Sequence, residues 1–382
     1  MRFEGLLLSL TKGIRAFIFT SLAITIPFFL ASMGLNELSI SVIVLLSLAV
    51  STIFLYVYTS VRIHIKAKLL ISSGLLLLSL VVLYSFETTE VLLISMVIGS
   101  MSFAGRDLSV NQSLESFTMS TFTEVQKEKN LLFTVYNFIS YGAGAIASGL
   151  LFLYGSNDYP TIILTLAAMA AVQFLIYLFM RFPKVDHRKQ RETLSDAGLR
   201  RKISHLAILF GIDSIGGGFV NTAILTLWFK VVYSVTLSQA GLIFVLVNII
   251  TAISVVISNL ISNRMGLVRT MVYTHLISNV FLFMVPVFHS LFISELFLYM
   301  RQSTSQMDVP ARDSFTNTYI PKEARIAGNS TFLAVRNTGQ IPGPGLAGLI
   351  LEVFPEGVFF AAALTKIAYD LAFYAGFRSF KE

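Results

Sequence analysis

The sequence predicts an all-α integral membrane protein, with twelve transmembrane helices in two pseudo-symmetric six-helix bundles. Three observations predict it. Of the 382 residues, 55% are hydrophobic and 13% charged, with a mean hydropathy of +0.76; soluble domains carry about 25% charged residues. Apolar runs of spanning length, about 20 residues, recur along the whole chain. Lysine and arginine gather in alternate loops, which is how membrane proteins fix their orientation.

The runs fall at 14–35, 38–61, 69–86, 90–118, 131–154, 160–180, 206–229, 236–261, 268–288, 290–317, 327–352 and 356–377. Six precede the polar segment 181–205 and six follow it. The expected organisation is therefore a first bundle over 1–180, a basic cytoplasmic linker over 181–205 and a second bundle over 206–382. The opening MRFEGLLLSLTKGIRAF has too short an apolar run for a signal peptide and reads as a cytoplasmic lead-in. With the N-terminus inside, 23 of the 28 Lys and Arg residues fall in inside segments and one, Lys230, falls outside. Both termini are then cytoplasmic and the protein sits in the cell membrane as a multi-pass protein. The same segregation accounts for the net charge of +7 without nucleic acid.

Composition also excludes chemistry. Without cysteine there is no disulfide, thiolate metal site or Cys nucleophile. The five histidines form no ligand pair at helical spacing, so no metal is expected. No Walker-type phosphate loop is present, so ATP does not drive the protein from within this chain. No cofactor is expected, and neither a soluble enzyme nor an intramembrane enzyme with a nucleophile–base pair is visible.

The run from Tyr299 to Gly348 places charges between apolar flanks. It carries Arg301, Asp308, Arg312, Asp313 and Arg336. Ionisable groups at membrane depth are costly and usually face a cavity or a partner. This run has an echo. Glu115-Ser116-Phe117-Thr118 matches Asp313-Ser314-Phe315-Thr316 at a displacement of 198, and Asn137 matches Asn337 at 200. Two echoes near half the chain length point to a duplication.

Several motifs resemble one family. Asn259-Leu260-Ile261-Ser262-Asn263-Arg264-Met265-Gly266 with Arg269 is similar to the G-x-L-x-D-R-x-G-R-R loop after the second helix of each half of major facilitator superfamily transporters. Here Asn259 and Asn263 replace its first Gly and its Asp. In the first half, Thr59 to Lys68 keeps only the basic character. Gln306 to Arg312 resembles a tenth-helix pattern of prokaryotic members, Pro321 to Arg325 the loop after it, and Asp213 to Gly218 their seventh helix. Gly343-Pro344-Gly345-Leu346-Ala347-Gly348 resembles the Gly-Pro motif that antiporters carry in the fifth helix, but sits here in the eleventh. The resemblance implies alternating access, with two halves rocking around a midplane site lined by the first, fourth, seventh and tenth helices. It implies a gating role for Asn263, Arg264, Gly266 and Arg269, and a packing role for Gly343, Pro344 and Gly348.

The candidate substrate and proton-pathway residues are Arg106, Asp107, Asp213, Asn221, Arg301, Asp308 and Arg336. On one tenth helix, Arg301, Ser305, Asp308 and Arg312 would share a face. Arg301 would meet an anionic or hydroxyl-rich solute; Asp308 would be a proton site or the partner of Arg312. On the fourth helix Asp107, Asn111 and Glu115 share a face, whereas Arg106 and Asp107 point about 100° apart. Asp213 lies before three glycines and could carry a proton or pair with a base. Arg336 could serve the site or an interdomain ion pair. Lys366 and Asp370, four residues apart, read as a self-satisfying pair.

The expectation is a monomeric secondary transporter of a small solute, coupled to protons and leaning toward export. Uptake symport of a polar or anionic metabolite is the alternative within transport. A membrane sensor on the same fold is the alternative outside it. The lipid bilayer is the partner throughout, and no nucleic acid is expected.

Overall fold

A computed structural model describes residues 3–61, 63–86, 88–105, 110–120, 122, 126–154, 158–182, 197–321 and 324–380. The described residues form sixteen α-helices and no strand. In chain order they are α1 (Phe3–Ser32), α2 (Glu37–Ser60), α3 (Ile65–Ser85), α4 (Thr89–Gly99), α5 (Val110–Ser120), α6 (Gln126–Tyr154), α7 (Tyr159–Phe179) and α8 (Ala197–Phe219). There follow α9 (Thr222–Tyr233), α10 (Leu237–Met265), α11 (Leu267–Met284), α12 (Leu291–Ser305), α13 (Asp308–Tyr319), α14 (Arg325–Gln340), α15 (Pro342–Val353) and α16 (Gly357–Phe377).

Four of the predicted spans are thus two helices each. They are the fourth (α4, α5), seventh (α8, α9), tenth (α12, α13) and eleventh (α14, α15). Among the described residues, nine stretches are long and apolar enough to cross a membrane. The fourth, tenth and eleventh expected spans are not among the nine, because they are divided and carry charge.

Each break has a local cause. After α4, Ser100 turns left-handed at φ 48° and Met101 N–H returns to the Met96 carbonyl. Gly105 then takes φ 77°, where a Cβ would collide with Thr222, whose N–H donates to the Ala104 carbonyl. Asn221 caps α9, its side-chain oxygen accepting from Ile224 N–H at 3.1 Å. Pro310 lies in the first turn of α13, where its missing N–H is tolerated; further inside a helix it would cost an i→i−4 bond. Pro342 opens α15 for the same reason. The expected face of Arg301, Ser305, Asp308 and Arg312 on one continuous helix is therefore divided between α12 and α13, although all four residues are buried.

Two boundaries move. The predicted lead-in is helical from Phe3, so α1 carries Lys12 and Arg15 into the interior, where both are buried. The apolar Gly5 to Leu10 run continues the helix instead of ending it. At the linker, α8 begins at Ala197; residues 183–196 lie outside the described residues.

The chain forms two compact units. The first is Met1–Lys184 with Asn221–Ile249; the second is Val185–Val220 with Ile250–Glu382. In the first, α1 runs along α6, α3 packs between α4 and α7, and α9 returns against α1. In the second, α8 packs on α14 and α16, and α11 packs on α12, α13 and α16. Its core joins Phe210, Phe315, Phe332, Tyr369 and Phe373. Large apolar side chains such as Phe179, Phe292 and Val353 are highly exposed, as lipid-facing positions must be.

Candidate functional site: two buried charge clusters

Among the described residues, each unit holds a cluster of buried charge joining several helices. In the first unit, Glu115 of α5 is the centre. Arg15 of α1 forks onto its carboxylate, with Nη1 at 2.8 Å and Nη2 closer. Tyr177 of α7 donates at 2.5 Å, Tyr136 of α6 at 2.7 Å, and Thr11 of α1 also donates. Both charged side chains are fully buried. Among the described residues the carboxylate thus has five donors from three other helices, two of them from the Arg15 guanidinium. A forked Arg–carboxylate pair is the strong form of ion pair. This arrangement locks four helices in one register.

In the second unit, Asp213 of α8 is the centre. Lys366 Nζ of α16 lies 2.6 Å from Asp213 Oδ1. His275 Nε2 of α11 lies 3.4 Å from the same oxygen. Arg312 Nη1 of α13 lies 4.0 Å from Asp213 Oδ2 and 2.8 Å from Asp308 Oδ2. On the other side, His275 Nδ1 meets Asp370 Oδ1 of α16 at 2.7 Å, and Asn279 Nδ2 donates to Asp370 Oδ2 at 2.8 Å. The predicted Lys366–Asp370 pair does not form. The two side chains turn to different neighbours, because each finds a closer partner across a helix interface than along its own helix.

Glycine makes this approach possible. A Cβ on Gly216 would stand 2.7 Å from Lys366 Cγ and 3.1 Å from the Ala362 carbonyl. Further along α8, a Cβ on Gly218 would meet the Gln340 carbonyl and stand 3.0 Å from Gly343 Cα. Small residues let helix backbones close in this way. Gly343, Pro344 and Gly348 are buried on α15, with Gly343 against α8.

The remaining predicted residues are placed as follows. Arg301 is buried on α12 and Nη1 donates to Gln302 at 3.2 Å. Arg336 is half-buried on α14. Asn221 is buried at the α9 cap. At the turn between α10 and α11, Arg264 and Arg269 are exposed, and Gly266 takes φ 80°, which favours glycine. Asn263 lies in α10 but its side chain is outside the described residues, as are Arg106 and Asp107. Asp213 and Asp308 are brought together through Arg312.

Several members of these clusters, among them Arg15 and His275, are not legible as site residues. Arg15 counts in the sequence among the 23 Lys and Arg residues of the inside segments. His275 read as a lone histidine, although Asn279 four residues on gives it a polar neighbour on the same face of an apolar helix. That i, i+4 pair is the signal that could have found it.

No family model matches the sequence. Over 142 residues, 37% of this chain and 32% of the other, the sequence is 24% identical to an uncharacterized membrane protein of Saccharomyces cerevisiae. The match spans about a third of that protein's length. The fold has much fuller counterparts. A crystal structure of the nucleoside transporter NupG, as a single-site mutant, matches 98% of this chain and 100% of its own, with a TM-score of 0.78 at 14% identity. A transporter of the POT family, crystallised with a thioalcohol-conjugated peptide, matches 98% and 96% with a TM-score of 0.77 at 13% identity. A D-xylose–proton symporter matches 97% of each chain with a TM-score of 0.68 at 11% identity. The chain is a multi-pass membrane protein with the major facilitator fold of these transporters.

Proposed function

We propose that the protein is a proton-coupled secondary transporter of a small polar solute, working as a monomer in the cytoplasmic membrane with both termini inside. The observation that carries the coupling is the Asp213 cluster. Three carboxylates, a histidine and two bases are buried together in apolar surroundings. Such groups are expensive within a membrane, and they mark proton and solute pathways. The sidedness rests on the sequence pattern of Lys and Arg, 23 of the 28 in alternate segments, among which Lys12, Arg15 and Arg312 are buried in helices.

The solute class draws support from neighbours on the same fold, which handle a nucleoside, a peptide conjugate and D-xylose. Arg301 and Arg336 supply cationic donors suited to hydroxyl-rich or anionic groups. The lean toward export rests on Gly343-Pro344. Uptake symport of a polar or anionic solute is the alternative direction.

Proteoliposomes with an imposed pH gradient test this reading. A panel of nucleosides, short peptides, pentoses and lipophilic cations is offered, and both solute and proton are followed. Accumulation driven by inward proton flow supports symport; release driven by it supports export. Flux of every panel member equal to that of empty liposomes would contradict the transport reading.

A further inference from the structure

We infer that Asp213, His275 and Asp370 form a binding site for a single exchangeable proton, carried on the His275 imidazole. The inference deepens the proposed function and rests on it only for the use made of the proton.

Charge and donor geometry carry the argument. The groups linked by direct contact are Asp213, Asp308 and Asp370 against Lys366 and Arg312, with His275 between two of the carboxylates. That is three acids against two permanent bases. With a neutral imidazole the buried network carries one net negative charge; with an imidazolium it carries none. Uncompensated charge is what a buried site tolerates least. Beyond this network, Asp313 of α13 acts on Arg312 and Arg336 of α14 acts on Asp313 in turn, an opposed pair that leaves the balance unchanged. On α12 the Arg301 guanidinium, a buried positive charge outside these contacts, donates to Gln302, and Ser278 of α11 donates to the Arg301 carbonyl. From α16, the Tyr369 ring lies edge-on to the imidazole at 5.8 Å.

Both ring nitrogens face carboxylate oxygens, Nδ1 at 2.7 Å and Nε2 at 3.4 Å. An imidazolium donates to both, whereas a neutral ring has one N–H and one lone pair. A permanent ion pair would need nothing more. Here Asn279 Nδ2 also lies 3.2 Å from Nδ1. Nε2, with the longer contact, is the nitrogen that gives up the proton, while Nδ1–H stays on Asp370, whose other oxygen Asn279 holds. The short Asp370 bond is kept in both charge states, so the site can load and unload without releasing the ring. The first unit shows the contrast. Among the described residues, Glu115 has five donors, two of them from one forked guanidinium, and no imidazole between two carboxylates.

Nitrogen-15 NMR of histidine-labelled full-length protein in lipid nanodiscs reads the site directly. The His275 resonance is assigned by H275Q and, independently, in a variant whose other four histidines are glutamine. The expected result is a one-proton step at His275 from two protonated nitrogens to one as pH rises through about 5 to 8, the ordinary histidine window. A ring that holds one charge state throughout that window, neutral or cationic, would overturn the site. Transport separates this from the broader reading. In H275Q, proton-driven accumulation of a transported panel solute is lost while its exchange persists. A one-proton step without transport of any panel member would sink the transport reading and leave the proton site standing.

Discussion

Arg15 and Asp213 hold matching positions in the two halves of the chain, with opposite charge. They stand 198 residues apart, the displacement of the Glu115–Asp313 echo. Each lies buried on the first helix of its half. Each meets the second piece of the divided fourth helix of that half, Glu115 on α5 and Arg312 on α13. Each also meets the last helix, through Tyr177 on α7 and Lys366 on α16. The attraction depends on the product of two charges, so a duplicated frame can keep the pair and exchange the signs. In the second half the exchange comes with extra acids and a histidine.

Breaking the first pair should be costly. Arg15→Met strands the Glu115 carboxylate in the interior, and thermal unfolding in detergent should show a loss of about 3–5 kcal/mol. Arg15→Met with Glu115→Gln should recover a large part of it. Additive losses in the double variant would mean that the two side chains are not coupled.

The Tyr177 hydroxyl makes a narrower prediction. It accepts from Arg15 and donates to Glu115, and bonds to charged groups contribute about 1.5–3 kcal/mol. Tyr177→Phe should lose stability in that range with the helical circular dichroism unchanged. A loss below 0.5 kcal/mol, roughly the net of a weak bond, would show that the cluster is held without it.

Glycine substitutions should separate by place. Gly343→Ala puts a methyl onto the Gly218 backbone, and overpacking of this kind costs about 1–3 kcal/mol or more. Gly142 of α6 has nothing within 4 Å of its Cβ position, so Gly142→Ala should leave stability unchanged or raise it by up to about 1 kcal/mol. Unfolding midpoints of the two variants side by side check the ordering.

At Asn221 the prediction divides capping from solute binding. Asn221→Ala removes the α9 cap and should cost about 0.5–2 kcal/mol. Asn221→Ser keeps a capping oxygen and should keep the stability. Transport that falls in the serine variant while its unfolding midpoint holds would assign Asn221 to the solute instead.

Periodicity and charge segregation made the helical membrane fold readable, because lipid leaves a chain few other ways to satisfy its backbone. The divided helices were not readable as such. Their causes, a left-handed Ser100 and the Pro310 and Pro342 turns, sit inside runs whose average hydropathy still looks like a span. The candidate site was half visible. Asp213, Asp308 and Arg312 stand out as charges among apolar residues, and the Asp308–Arg312 pair follows from i, i+4 spacing. Lys366 and Asp370 have the same spacing, yet they diverge. Which partner wins is settled by neighbours from other helices, and a single sequence does not carry that. Arg15 was hidden by its position at the edge of an apolar run, and His275 by its solitary side-chain type.

The proposed coupling ties solute movement to protons through the Asp213 cluster. The most direct test follows lumenal pH in proteoliposomes as a transported panel solute is added, in the wild type, Asp213→Asn and His275→Gln. Coupling through this cluster gives solute-dependent proton movement in the wild type and its loss in both variants, with solute exchange retained in His275→Gln. Solute movement without proton flux in the wild type, or proton flux unchanged in both variants, would contradict it.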